Sequence, residues 1–181
     1  TGTAETKSQK SKKAIFDGEY MKTLYLIGGT IGVGKTAVSQ QLKKALRNSV
    51  FLDGDWCWDA APLQVTEETK AMVRRTICYL LNIFLHCTAY ENIVFLLGDA
   101  EQPIIDEITA ALDTSRCRMV KISLPADEPT LRHRLSSDVA QGIRAANSID
   151  QGVDMYQALD AIKIETGNKT VQEIADEICA L

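Results

Sequence analysis

Gly29-Thr30-Ile31-Gly32-Val33-Gly34-Lys35-Thr36 is the stretch from which the rest of the chain is read. It matches G-x-x-x-x-G-K-[ST], the P-loop pattern. Glycines let a backbone curl until successive N–H groups point inward at an anion. The spacing predicts a helix from about Lys35, whose positive end faces the same anion. So short a pattern also arises by chance, and its flanks carry the decision. Leu24-Tyr25-Leu26-Ile27 ahead of it is an apolar run suited to a buried strand. Ala37-Val38, Leu42 and Ala45-Leu46 behind it recur at helical spacing. Strand, loop and helix in that order imply a nucleotide-phosphate site. In it Lys35 reaches the outer phosphates and the Thr36 hydroxyl sits on Mg²⁺. A glycine-rich turn without a ligand leaves the Lys-Thr pair unexplained.

Working outward, Ser49-Val50-Phe51-Leu52 reads as a second strand running into Asp53-Gly54-Asp55-Trp56-Cys57-Trp58-Asp59. Pro62 then breaks the chain. A long helix is expected from Thr66-Glu67-Glu68-Thr69 to about Thr88, with Val73, Ile77, Leu80-Leu81 and Phe84-Leu85 as its apolar stripe. Thr66 is the expected N-cap, with Thr69 completing nothing. Asn92-Ile93-Val94-Phe95-Leu96-Leu97 is a continuous apolar run fit for the centre of a parallel sheet, followed by Gly98-Asp99. Pro103 suits the first turn of a helix carrying Ile104-Ile105, Ile108 and Ala111-Leu112. Met119-Val120-Lys121-Ile122-Ser123-Leu124 is a fourth strand, and Asp127-Glu128-Pro129 opens the next helix. A polar segment leads to a short strand, Ala161-Ile162-Lys163-Ile164. Thr170-Val171-Gln172-Glu173 then fits a capping box before a final helix.

Strands alternate with helices, which implies an α/β protein with a parallel sheet covered on both faces. Ligands of such sheets bind beyond the carboxyl ends of the strands. The P-loop, Asp53 with Asp55, and Asp99 all fall at such ends, so three strands deliver phosphate-handling or metal-handling groups to one rim. At 181 residues the chain reads as one domain over residues 21–181. Residues 1–20, rich in Thr, Lys, Ser and Gln, read as a disordered leader or expression remnant, with Met21 as a candidate native start. A net charge of −4 argues against a nucleic-acid partner. No run of about 20 apolar residues exists to span a membrane. Five cysteines without a C-x-x-C pair read as free thiols, and the expected compartment is the cytoplasm.

Phosphoryl transfer needs a phosphate cradle, a metal, cations for developing charge and a group that orients the acceptor. Lys35 supplies a cation. Asp55 is the candidate that accepts the acceptor's proton or orients its hydroxyl. Asp53 either holds metal-bound water or caps the turn, and Asp99 either joins the Mg²⁺ shell or caps its loop. Trp56 and Trp58 offer an aromatic wall for the acceptor, or close the core beneath the loop. Arg74 and Arg75 either bind an anionic acceptor or pair with Glu67, Glu68 or Glu91. Arg132, Arg134 and Arg144 flank the polar segment, where arginines can pair with phosphate oxygens once a flap closes. Arg134 is the first choice among them.

Together these features resemble the P-loop kinases of nucleotides and small metabolites, a group that includes adenylate, adenylylsulfate and gluconate kinases and chloramphenicol phosphotransferase. The resemblance covers about residues 22–181. It rests on residues 29–36, on Asp53-Gly54-Asp55, on Arg134 and on Ile162-Lys163-Ile164-Glu165-Thr166. It implies a three-layer α-β-α fold with five parallel strands in the order 2-3-1-4-5 and a short lid. It also implies ATP and Mg²⁺ as cofactors and a small-molecule or nucleotide acceptor as partner. The resemblance places the acceptor beside Asp55, the lid cations at Arg134 and Arg144, and adenine near Gly167 and Asn168. The Gly-Asp-Trp-Cys-Trp sequence is similar to a bacterial kinase-like branch. Gly152-Val153-Asp154 stands where the family pattern calls for a further arginine.

Other P-loop classes compete. Asn168-Lys169-Thr170-Val171 has Val171 where a GTPase guanine motif needs an aspartate. An ATPase module working in an assembly and a non-catalytic nucleotide binder remain as alternatives.

Overall fold

The computed structural model describes residues 15–16, 19–30, 32–98, 102–125, 129, 136, 140 and 159–181. Ile15–Phe16 (β1) and Glu19–Tyr20 (β2) pair antiparallel. The main sheet begins at once behind them. Lys22–Gly29 (β3) is flanked on one side by Asn92–Leu96 (β5) and Ser49–Asp53 (β4), and on the other by Cys117–Leu124 (β6) and Ile162–Lys163 (β7). The order is β4-β5-β3-β6-β7 and every pairing is parallel. Counted from β3, that is 2-3-1-4-5, the P-loop NTPase order.

The inner strands β3 and β5 are almost wholly apolar because both of their faces are covered. In β3, Leu24 and Leu26 enter one apolar cluster while Tyr25 and Ile27 enter the other. In β5, Ile93 and Phe95 divide from Val94 and Leu96 in the same way. Successive strand side chains point to opposite faces, and helices cover each. Glu67–His86 (α2) and Gln102–Ala110 (α3) bring Val73, Ile77, Leu81, Leu85, Ile105 and Ile108 to the first face. Lys35–Ala45 (α1) and Val171–Cys179 (α4) bring Val38, Leu42, Ile174, Ala175 and Ile178 to the second. Burying each of these Val, Leu and Ile side chains contributes about 1.5–3 kcal/mol.

The helix ends refine the reading from sequence. Thr170 and Glu173 form the expected box, with Thr170 N–H donating to Glu173 Oε2 at 2.7 Å. Thr66 caps α2 as expected, but Thr69 does not stand idle. Its Oγ1 accepts from Thr66 N–H at 2.9 Å while Thr69 N–H donates to Thr66 Oγ1 at 3.2 Å. A threonine hydroxyl thus fills the place where the usual pattern has a carboxylate or amide.

Lys22 anchors the opposite end of α2. Its Nζ donates to the carbonyls of Phe84, Cys87 and Tyr90 and adds a charged donor to a helix end where Phe84 O and Cys87 O also accept backbone N–H groups. Beside it, at the amino ends of the strands, lies a crevice of about 370 Å³ lined by Lys22, His86, Asp113 and Cys117 among others. His86 Nε2 lies 2.9 Å from Asp113 Oδ2. None of the described helices is long and apolar enough to cross a membrane. All five cysteines are thiols, and burial pushes Cys117 up to about 11.

Candidate active site

The phosphate loop leaves the carboxyl end of β3 against its neighbour β6. Gly29 has φ +148°, and a Cβ built on it would stand 2.5 Å from Leu124 O. Both the backbone and the space therefore demand glycine. Gly32 and Gly34 follow with φ +79° and +95°. Gly34 is the N-cap of α1 and offers no side chain to the first-turn N–H groups. Those donors are what a phosphate needs. Thr30 and Val33 are buried beneath the loop, and Thr36 is exposed in the first turn of α1. Lys35 Nζ donates to Gly29 O at 2.7 Å and to Thr30 O at 3.3 Å. Ile31 lies outside the described residues.

Asp53 ends β4 and N-caps a 3₁₀ turn, Gly54–Trp58. Its Oδ1 accepts the Asp55 N–H at 3.1 Å. It is the one charged residue buried among the described residues, at 6% exposure. Burial pushes its carboxyl above the usual range, and the Asp55 charge adds to this. The Asp55 N–H and the Lys35 ammonium pull the other way. Asp53 thus lies within electrostatic reach of both the phosphate-loop cation and the exposed Asp55. Capping the turn and facing the metal are compatible roles, because one oxygen makes the cap.

These residues suit Mg²⁺. A buried carboxyl beside a second acid gains from a cation, and Thr36 supplies a hard oxygen. No group of three His, Cys, Asp or Glu side chains able to hold a metal occurs among the described residues. The ion would take ligands from Thr36, Asp53, water and the nucleotide's own phosphates.

The two tryptophans part company. Trp58 is half-buried against the cluster that holds α2. Trp56 is 63% exposed and stands edge-on to Phe51, with centroids 5.4 Å apart. Phe51 belongs to the α1 side, so the two indoles lie on different sides of β4. Arg74 Nε pairs with Glu107 Oε1 at 3.0 Å, joining α2 to α3. Its partner is none of the three glutamates expected from sequence. Arg75 is exposed, its Nε donating to Ala71 O within its own helix.

At the far side of the rim, Thr166 N–H and Oγ1 both donate to Pro125 O, at 3.3 and 3.2 Å. This ties the turn at Gly167 and Asn168 to the end of β6. Sequence reasoning quoted Thr166 for the resemblance but gave its side chain no role; its signal is a hydroxyl placed just before a turn. It also gave no role to Gly98, a glycine just beyond the end of β5. Asp99, Arg132, Arg134 and Arg144, with the expected lid, lie outside the described residues.

A family model described as an AAA domain matches residues 26–151. No curated protein sequence matches the chain. Solved structures do. A gluconokinase from Sinorhizobium meliloti 1021 has a TM-score of 0.65 at 14% identity, over 88% of this chain and 91% of that one. The APS kinase of Mycobacterium tuberculosis has a TM-score of 0.58 at 16% identity, over 88% and 96%. A shikimate kinase from Acinetobacter baumannii gives 0.56 at 20%, over 88% and 91%. The chain belongs to the AAA-domain family and has the fold of the P-loop kinases.

Proposed function

We propose that the protein transfers the γ-phosphoryl group of ATP to a hydroxyl or phosphate of a small-molecule or nucleotide acceptor. The observation that supports this is the delivery of Lys35, after β3, and of Asp53 and Asp55, after β4, to the carboxyl ends of parallel strands in one sheet, with Asp53 Oδ1 holding the Asp55 N–H at 3.1 Å. A bare phosphate binder needs the loop alone; two further acids at the end of β4 suit an acceptor. The likeness in fold to kinases of gluconate, APS and shikimate supports the same reading.

In this reading the loop amides and Lys35 hold the β- and γ-phosphates. Lys35 exchanges the Gly29 and Thr30 carbonyls for phosphate oxygens. Thr36 and Asp53 would hold Mg²⁺, which when bound would supply neutralising charge for the phosphates. Asp55 accepts a hydrogen bond from the acceptor hydroxyl and takes its proton as oxygen bonds to the γ-phosphorus and ADP leaves. Trp58 walls the acceptor on the α2 side, and Gly167 and Asn168 approach adenine. Arg134 and Arg144 would pair with phosphate oxygens, and Asp99 would be a further oxygen donor for the metal. Five thiols and ATP dependence suit the cytoplasm.

The test is ADP release from ATP-Mg²⁺ across a panel of sugar, sugar-acid, nucleoside and mononucleotide acceptors. The expected result is release only with the right acceptor. Asp55→Asn keeps ATP binding and loses about 10²-fold or more in rate. Lys35→Ala loses about 10²–10³-fold by removing charge stabilisation in the transition state. Release without any acceptor marks an ATPase instead, and ATP binding without turnover marks a non-catalytic module. A Lys35→Ala protein as active as the parent overturns the site.

A further inference from the structure

We propose that Gly98 is a positioning residue for Asp55, the bare point over which that carboxylate crosses toward the phosphate loop. The inference rests on the kinase reading for its meaning, and on geometry for its existence. The sheet order puts β5 between β4, which delivers Asp55, and β3, which delivers the loop. Adjacent strands lie about 4.8 Å apart, so Asp55 has to reach across the end of β5 to approach the phosphates. Gly98 stands just beyond that end. A Cβ built on it would lie 2.7 Å from Asp55 Oδ1 and 3.8 Å from its Cγ, the only atoms within 4 Å among the described residues apart from its chain neighbours. The carboxylate therefore rests directly on the glycine.

The backbone beneath the acid is pinned independently. Asp53 Oδ1 holds the Asp55 N–H at 3.1 Å. A Cβ on Gly54 would stand 3.1 Å from Leu96 O, so the turn lies close on the last residue of β5. With residues 53–55 fixed, a side chain at position 98 leaves the Asp55 carboxylate as the group that moves. Gly98 takes no left-handed backbone, unlike Gly29, Gly32 and Gly34. Glycine is present here for room rather than for conformation, and alanine fits the backbone without strain. Gly98→Ala is thus a local probe of where one oxygen sits.

The experiment compares Gly98→Ala, Asp55→Asn and the double variant by acceptor-dependent ADP release, ATP affinity and the ¹³C resonance of the Asp55 side-chain carboxyl. The expected result for Gly98→Ala is unchanged ATP affinity, a shifted Asp55 resonance and a fall in kcat of about 10²-fold, the scale of a misplaced catalytic group. The double variant is no slower than Asp55→Asn alone. Additive losses, or an unshifted resonance with full activity, overturn the proposal. Should Gly98→Ala misfold, Asp55→Ala in the same chain restores folding if the carboxylate is what the methyl meets; continued misfolding overturns it. Should the parent protein release no ADP with any acceptor, the kinase reading falls, and the carboxyl resonance alone decides whether Gly98 seats Asp55.

Discussion

Asp53 is held in a setting that disfavours its charge, and that has a measurable cost. Its carboxyl is raised by burial first and by Asp55 second. A carboxyl whose pKa is higher folded than unfolded adds stability below its unfolded value, which is lost as pH rises through the folded one. At neutral pH the free protein is therefore less stable for having Asp53 charged. Asp53→Asn, whose amide oxygen can still accept the Asp55 N–H, should raise the melting temperature of the nucleotide-free protein near pH 7. The gain should shrink as pH falls through the carboxylate range, as thermal melts at stepped pH would show. The same variant should lose Mg²⁺-dependent turnover. A gain that persists unchanged in acid would mean the charge is not the cause.

Among the elements, α2 shows how far local patterns reach. The P-loop, the strand–helix alternation and the Thr170 box are written in residues close together, and each was legible. The Thr66 box was half legible, because a hydroxyl in the third position lacks the carboxylate that usually marks it. Thr69→Val removes the acceptor for Thr66 N–H and should cost about 1 kcal/mol in urea unfolding, the range of a lost cap. An unchanged midpoint would show that solvent replaces it. What stayed illegible depends on contacts distant in sequence. Arg74 chose Glu107, on another helix, over glutamates nearer in sequence. Trp56 and Trp58 are two residues apart, and the twist of a 3₁₀ turn sends one outward and one to the core. Neither outcome is encoded in spacing alone.

Taken as a whole, the molecule divides its labour between the two rims of the sheet. At the amino rim, Lys22 gathers three carbonyls from the end of α2 and the loop behind it. Lys22→Met should lower stability by about 1–3 kcal/mol, the worth of hydrogen bonds to a charged donor, while leaving turnover per folded molecule unchanged. Denaturant titration beside an activity assay separates the two; a loss of turnover would tie the far rim to the chemistry. At the carboxyl rim, β6 does something less obvious. Leu124 O faces the first glycine of the phosphate loop, and the next carbonyl, Pro125 O, holds Thr166 ahead of the Gly167 and Asn168 turn. Two successive carbonyls thus hold the phosphate loop and the Gly167–Asn168 turn at a fixed separation. In the proposed kinase they act as a ruler: changes to either loop alter what is gripped, while the length gripped is set by the strand between them.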